Sequence, residues 1–426
     1  MGCLAGNHFI YLGDGMKNIV LTLIIFGLMV GVASGALYGN ITLRNGSVLA
    51  YQGGEIEFNT TAVPSESDVW AYSSGEWNPT AISGVSPAIC QGRLTLESGV
   101  PISTSDQTAK TEVYLTPYNG NWIGIYDGAD WGIHTFAEIG ISTTEAQTGT
   151  TTDTTYNITG LTNTEQLIVG MAVTGTGVGA DAVITEIENS TAVIVDVAST
   201  ATGENTITFK IPASTNVDIF TADDSGVELR FGPLWTDGTT RATALTTQDG
   251  IYVLDGTATY RYLGTIRTTT TAGQIEDSED ARFIWNMYNR VERRLSKIDT
   301  TDSWAYTTAT WRSWNNAATN RVEIVQGLNE ELAYIYFEGK ISSTSAVTAF
   351  LGIGIDSTSA NSATIGVGAT TAANTYGNAH ATYRGYVGVG YHYVQLLERG
   401  NTGCTFYGDV GLTGVAIGGA VGYVTA

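Results

Sequence analysis

Positive charge is scarce in this chain. Lys and Arg number 19 against 41 Asp and Glu in 426 residues, which leaves a net charge of -22. That balance excludes the usual nucleic-acid reader, because contacts to a phosphate backbone need clustered cations. It favours solubility, and it sets up repulsion from an anionic cell surface unless local patches or divalent ions intervene. Charge of either sign is thin as well. Only 14% of residues are charged, well below the usual quarter, and 52 glycines with abundant Thr, Ser and Ala fill the gap. Such a neutral, hydroxyl-rich surface suits packed β layers rather than long solvated helices.

Metal-binding and catalytic patterns are also lacking. Cys3, Cys90 and Cys404 are not at metal-ligand spacing. With Cys3 in a leader, the other two form either a long-range disulfide or two buried free thiols. His8, His134, His380 and His392 are too few and too scattered for a closed zinc site. No Gly-x-Ser-x-Gly elbow, P-loop or strand-to-helix glycine fingerprint stands in a usable context. A glycoside hydrolase needs two carboxylates facing across a cleft, and nothing in the sequence singles out a pair. No catalytic residue, metal ligand or cofactor is assigned, and the chain reads as a non-enzyme.

A long apolar run is missing too. Ile19 to Val32 is shorter than the roughly 20 residues that span a bilayer, so no stable membrane span is expected. With Met16-Lys17-Asn18 before it and Ala33-Ser34-Gly35-Ala36 after it, the run has the three parts of a secretory signal. Leu12-Gly13-Asp14-Gly15 fits a translated ribosome-binding sequence ahead of a start at Met16. Residues 1–36 are read as this leader.

What is present is β pattern throughout, and the expected fold is all-β and multi-domain. A small N-terminal module over 37–89 has short strands at 41–43, 48–51, 55–59 and 69–72, with Trp70, Tyr72 and Trp77 as its aromatic core. A central domain takes 90–141 and 207–300. Its clearest element is a hairpin, Trp122 to Tyr126 and Gly132 to Phe136 around Asp127-Gly128-Ala129-Asp130. Residues 142–206, rich in Thr, Ala and Val, read as an inserted β module at a loop tip. Asp218, Asp223 and Asp224 lie close in sequence, but without EF-hand spacing they read as a solvated turn. Phe283 to Val291 reads as one strand, with at most a helical turn at Asp277 to Ala281. Arg290, Arg293, Arg294 and Lys297 form a cationic cluster. It is an interface to acidic neighbours, a glycan-phosphate contact, or a solvated edge that blocks strand pairing.

A C-terminal β-sandwich or jelly-roll is expected over 301–426, with strands at 321–326, 333–340, 350–355, 364–368, 382–399 and 405–407. Alternate glycines at 352 and 354, and at 366 and 368, leave a bare face that another sheet or subunit could approach. The uncharged tail from Leu412 to Val424 is expected to be buried in the fold or in an oligomer interface. Trp304, Trp311 and Trp314, with Asn315 and Asn316, form the candidate glycan-binding cluster. Aromatic rings stack on sugars, but alternating aromatics in a sandwich also make core.

Several motifs carry a resemblance, in order along the chain. They begin with Gly92-Arg93-Leu94-Thr95-Leu96 followed by Ser98-Gly99 and Pro101, then Thr116-Pro117-Tyr118 with Gly120-Asn121, then Tyr126-Asp127-Gly128 with Trp131, and Thr135-Phe136 with Glu138-Ile139. They continue with Trp235-Thr236, Thr239-Thr240-Arg241, Gln248-Asp249-Gly250, Tyr260-Arg261-Tyr262, and Arg282-Phe283-Ile284-Trp285-Asn286 leading to Tyr288-Asn289-Arg290-Val291. Asp302-Ser303-Trp304 and Ala309-Thr310-Trp311-Arg312 complete the order. The pattern resembles a family of tailed-bacteriophage and prophage structural proteins, tail-fibre-like virion proteins, from Ile41 to the C-terminus less the insertion. The resemblance implies a virion protein of a tail fibre or surface appendage. Its partners would be other virion proteins and itself, a homotrimer being favoured, with host-surface glycan as a further contact. The leader keeps a secreted adhesin or cell-surface β-protein open, and a polysaccharide-degrading tail protein is a second alternative.

Overall fold

The computed structural model describes residues 87–223, 226–409 and 418–426, preceded by four short strands at Leu49–Tyr51, Gly54–Ile56, Asp68–Ser73 and Glu76–Ala81. The leader, Cys3, His8, the choice between Met1 and Met16, the strand expected at 41–43 and part of the tail (410–417) lie outside the described residues. The chain is all-β and divides into two compact units, Met1–Ile82 and Ser83–Ala426. Among the described residues the one helical feature is a 3-10 turn at Trp314–Asn316, and no helix is long and apolar enough to cross a membrane. In the first unit the four strands form two antiparallel hairpins, with Tyr72 opposite Trp77 in register.

The second unit holds the remaining sheets. The hairpin read from Asp127-Gly128 is present, Trp122–Tyr126 against Trp131–Thr135. Its loop is closed by Asp127 Oδ1, which accepts from the Ala129 and Asp130 N–H groups at 2.7 and 2.8 Å. Six strands between Thr144 and Lys210 pair among themselves, and the first and last in sequence, Thr144–Thr151 and Gly203–Lys210, lie antiparallel with Thr144 opposite Lys210. The chain therefore leaves and rejoins the rest of the unit at one end of this sheet.

The two largest sheets run across residue 300. One orders Gln107–Lys110, Ile275–Asp277, Ala281–Arg282, Arg321–Gln326, Gly390–Arg399, Val347–Ile355 and Ala369–Thr371, with Ala281–Arg282 parallel to Arg321–Gln326. The other orders Glu292–Ile298, Gly419–Thr425, Ala333–Ser343, Thr375–Gly385 and Ile365–Val367. The boundary expected between residues 300 and 301, at the start of a C-terminal sandwich, is crossed by these sheets, whose strands on both sides of it hydrogen-bond to each other.

Two expected strands are broken by turns. Between Phe283 and Val291 only Ile284–Asn286 is strand, and the chain bends at 287–289. Asn289 takes the left-handed region (φ 53), and its Nδ2 donates to the Cys90 and Gly92 carbonyls at 2.8 and 3.0 Å. The strand expected over 382–399 is likewise two, Thr375–Gly385 and Gly390–Arg399, interrupted near Gly388 at φ 112.

Cys90 and Cys404 are both free and buried, in separate apolar clusters. The end of the tail is a strand, Gly419–Thr425, held between Glu292–Ile298 and Ala333–Ser343. Ala420 and Val424 point into the core, while Val421 and Tyr423 stay 46% and 38% exposed. Three of the four alternate glycines are covered from within the chain, where a Cβ on Gly352 would sit 2.7 Å from the Trp311 ring, while Gly366 stays exposed.

Candidate contact surface

The three tryptophans do not form one platform. Trp314 has no exposed surface, and its ring packs edge-on against Trp304 and Phe337 at 5.3 and 5.0 Å between centroids. A ring with both faces covered cannot stack on a sugar, so Trp314 is core. Trp304 is partly exposed, stacks on Phe406 at 6.5 Å and donates Nε1–H to Glu398 Oε2 at 2.7 Å. Trp311, also partly exposed, lies against Gly352. Asn315 and Asn316 are both left-handed (φ 54 and 52), and Asn315 Nδ2 donates to Asp299 Oδ2 and Thr301 Oγ1, each at 2.9 Å. Trp314→Ala is expected to lower stability by about 3–5 kcal/mol, the usual loss for a buried aromatic, as read by urea unfolding.

The buried carboxylates are ties rather than a cleft. Asp218 is not in a solvated turn: it is buried, receives Arg241 Nε and Nη2 at 2.6 and 3.1 Å, and accepts from Thr265 Oγ1 at 2.6 Å. Glu398 takes Trp304 and Arg312; burial raises its carboxyl above the ordinary range against the pull of both donors. No group of three His, Cys, Asp or Glu that could hold a metal gathers among the described residues.

The cationic cluster is spent internally. Asp277 receives Arg282 at 2.9 Å and Arg293 at 2.8 Å, Arg294 meets Glu279 at 3.1 Å, Lys297 meets Asp280 at 2.8 Å, and Arg290 meets Glu330 at 2.9 Å. The acidic run just before Arg282 and the basic run after it neutralise each other across the junction of the two sheets. Beside them a recess between Arg93, Asp277, Arg293 and Ala426 is filled by its own contacts, with Arg93 Nη2 donating to the Ala426 carbonyl at 3.0 Å. Burial and the nearby Arg293 guanidinium pull Arg93 down to about 10.

The surface that remains unspent is the outward side of the sheet built on Ala333–Ser343. That strand alternates strictly, with Ala333, Ile335, Phe337 and Ile341 buried inward and Tyr334, Tyr336, Glu338 and Lys340 facing out. Residues opposite one another share a face, so the register places Tyr423 and Arg384 beside Tyr334, Val421 and Thr382 beside Tyr336, and His380 beside Glu338. At the edges Ile298 continues the face on one side, and Ile365 and Val367 on the other, at 45%, 61% and 49% exposure.

Ring contacts organise this face. Tyr334 and Tyr423 lie 5.4 Å apart, Tyr336 stacks on His380 at 5.9 Å, and Tyr376 meets Tyr407 edge-on at 5.6 Å with Lys340 Nζ 4.0 Å above the Tyr376 ring. Tyr336 donates its hydroxyl to Glu338 Oε2 at 2.6 Å, and that bond to a carboxylate, with some burial, pushes its phenol up to about 12. The sequence signal for this face was the alternation Tyr334-Ile335-Tyr336-Phe337, aromatic or aliphatic on both sides and therefore silent about which side is outside.

No protein-family model and no curated protein matches the chain. Among solved structures it overlaps a chain of the structure of infectious bursal disease virus, Gx strain, at 12% identity, over 66% of this chain and 75% of that one, with a TM-score of 0.18. At that score the overlap carries no argument.

Proposed function

We propose that this chain is a non-enzymatic structural protein of a tailed-phage or prophage particle, a tail-fibre or surface-appendage component. It works through an exposed sheet face rather than a cleft. The observation that carries the reading is the outward side of the Ala333–Ser343 sheet, where Tyr376, Ile365, Val367, Val421 and Tyr423 are all exposed. Contiguous exposed apolar surface marks a contact site. The ordered motifs from Gly92 to Arg312 supply the phage assignment, and the buried acids, tied to guanidiniums, an indole N–H or, at Asp299, two side-chain amides, support a role in holding structure. Host-surface glycan is a further ligand for exposed tyrosines such as Tyr376. Gold-labelled antibody on the producing culture tests the assignment: label on phage tails or particle surfaces is expected. Label confined to cell envelopes would overturn it in favour of a secreted or cell-surface protein, the reading that the segment Met16 to Ala36 favours.

A further inference from the structure

We propose that the outward face of the Ala333–Ser343 sheet is covered by a second copy of this chain. The inference rests on that face being a contact surface, and it is independent of whether the protein resides on a particle or on a cell. The middle of the face is aliphatic as well as aromatic: Ile298, Val421, Tyr336, Ile365 and Val367 lie on four of its five strands, with Thr382 and His380 at the same level on the fifth. Four of these five offer neither a hydrogen bond nor a ring face, so a sugar chain would leave them unmatched while a protein surface would match them. The charged residues of the face are of both signs: Arg294 and Arg384 stand level with Tyr334, Glu338 near the middle and Lys340 toward the other end.

Size and charge then favour a copy of the same chain. Five strands of 7, 7, 11, 11 and 3 residues, about 4.8 Å apart at about 3.4 Å per residue, give a face on the order of 600 Å². A stable interface takes about 800 Å² from each partner, so a partner of equal extent covers the face with little left over. Glu338 and Lys340 stand two positions apart on one strand, of opposite sign and both outward. A copy turned end for end sets each over the other, so the face is complementary to itself. A partner of unrelated charge gains no such pairing.

The test is the mass of the full chain in solution by light scattering and sedimentation across concentration. The wild type is expected to be a dimer or higher assembly, and the variant Val421→Lys with Ile365→Lys is expected to raise the dissociation constant on the order of 100-fold or more, because each lysine would be buried unpaired. Both side chains are exposed in the single chain, at 46% and 61%, so the variant should keep the unfolding midpoint that the wild type shows at concentrations too low for association. Val169→Lys, at 52% exposure in the Thr144–Lys210 module, is the control and should assemble like the wild type. A wild type that stays monomeric at every concentration would overturn the proposal, as would assembly unmoved by the double variant or lost equally in the control. Monomeric protein that binds an acidic polysaccharide through this face would overturn it as well.

Discussion

Replacing Arg261 by methionine is expected to lower the stability of the second unit by about 4 kcal/mol or more, from four carbonyls that each cost about 1–3 kcal/mol when left bare. Arg261 has no exposed surface, and its partners are backbone carbonyls rather than a carboxylate. Nη1 faces the oxygens of Pro87, Ile89 and Gly124 at 2.9, 2.9 and 2.5 Å, Nη2 that of Ala88 at 2.8 Å, and Nε the Tyr288 hydroxyl at 3.2 Å. The guanidinium also lies 4.5 Å above the Tyr288 ring. One side chain thereby clasps the Pro87–Ile89 segment to the Trp122–Tyr126 strand, and the approach is close enough that a Cβ on Gly124 would sit 2.3 Å from the Pro87 oxygen. Lysine should recover less than half of the loss, since its three donors radiate from one point while the carbonyls are arrayed around a planar fork. Urea unfolding of the two variants checks this. A methionine variant within about 1 kcal/mol of wild type would mean that water replaces the guanidinium and that the clasp contributes little.

The same clasp shows what was legible in the sequence. Tyr260-Arg261-Tyr262 and the stretch from Gly92 could be singled out as motifs, but their partnership could not, because more than 130 residues separate Arg261 from Gly124. Asn286 and Asn289 are similar: Asn286 Oδ1 accepts the Leu94 N–H at 2.6 Å and Asn289 holds the Cys90 and Gly92 carbonyls, so two motifs distant in sequence dock on each other. The strands themselves were readable wherever turn chemistry bounded them, as at Asp127-Gly128 and along Arg321–Gln326, since local rules set those. Faces were harder. Trp304, Trp311 and Trp314 are close in sequence and invited a shared role, yet Trp314 is fully buried, Trp304 packs on it from a partly exposed position and Trp311 lies apart against Gly352. Tyr334 and Tyr336 alternate with Ile335 and Phe337, so apolar character on both sides hid the exposed face. The acidic and basic runs from Glu276 to Lys297 looked like separate features, because pairing across strands is not visible along one strand.

Asp277→Ala should lower stability by about 3–5 kcal/mol, the loss that follows when a buried ion pair is broken from one side. Asp277 and Arg282 lie on neighbouring strands of the eight-stranded sheet, and Arg293 on the edge strand of the sheet with the tyrosine face. All three are under 10% exposed. The carboxylate divides its oxygens between the two guanidiniums, 2.9 Å to Arg282 and 2.8 Å to Arg293, so its removal strands two cations at a junction between sheets. Arg282 keeps its bonds to the Arg294 carbonyl at 2.7 and 3.1 Å, which leaves Arg293 as the worse-compensated charge. Replacing all three with apolar residues should therefore regain part of the loss, because the desolvation cost of the cations disappears with them. Salt separates this tie from its neighbour: Asp280 is 43% exposed in its pair with Lys297, so that pair should weaken with ionic strength, while the effect of Asp277→Ala should not change. Guanidinium chloride would mask that contrast, so urea at low and high salt is the measurement. A loss that shrinks with salt, as the contribution of the Asp280–Lys297 pair should, would place Asp277 in contact with solvent and undo its role as the tie between the two sheets.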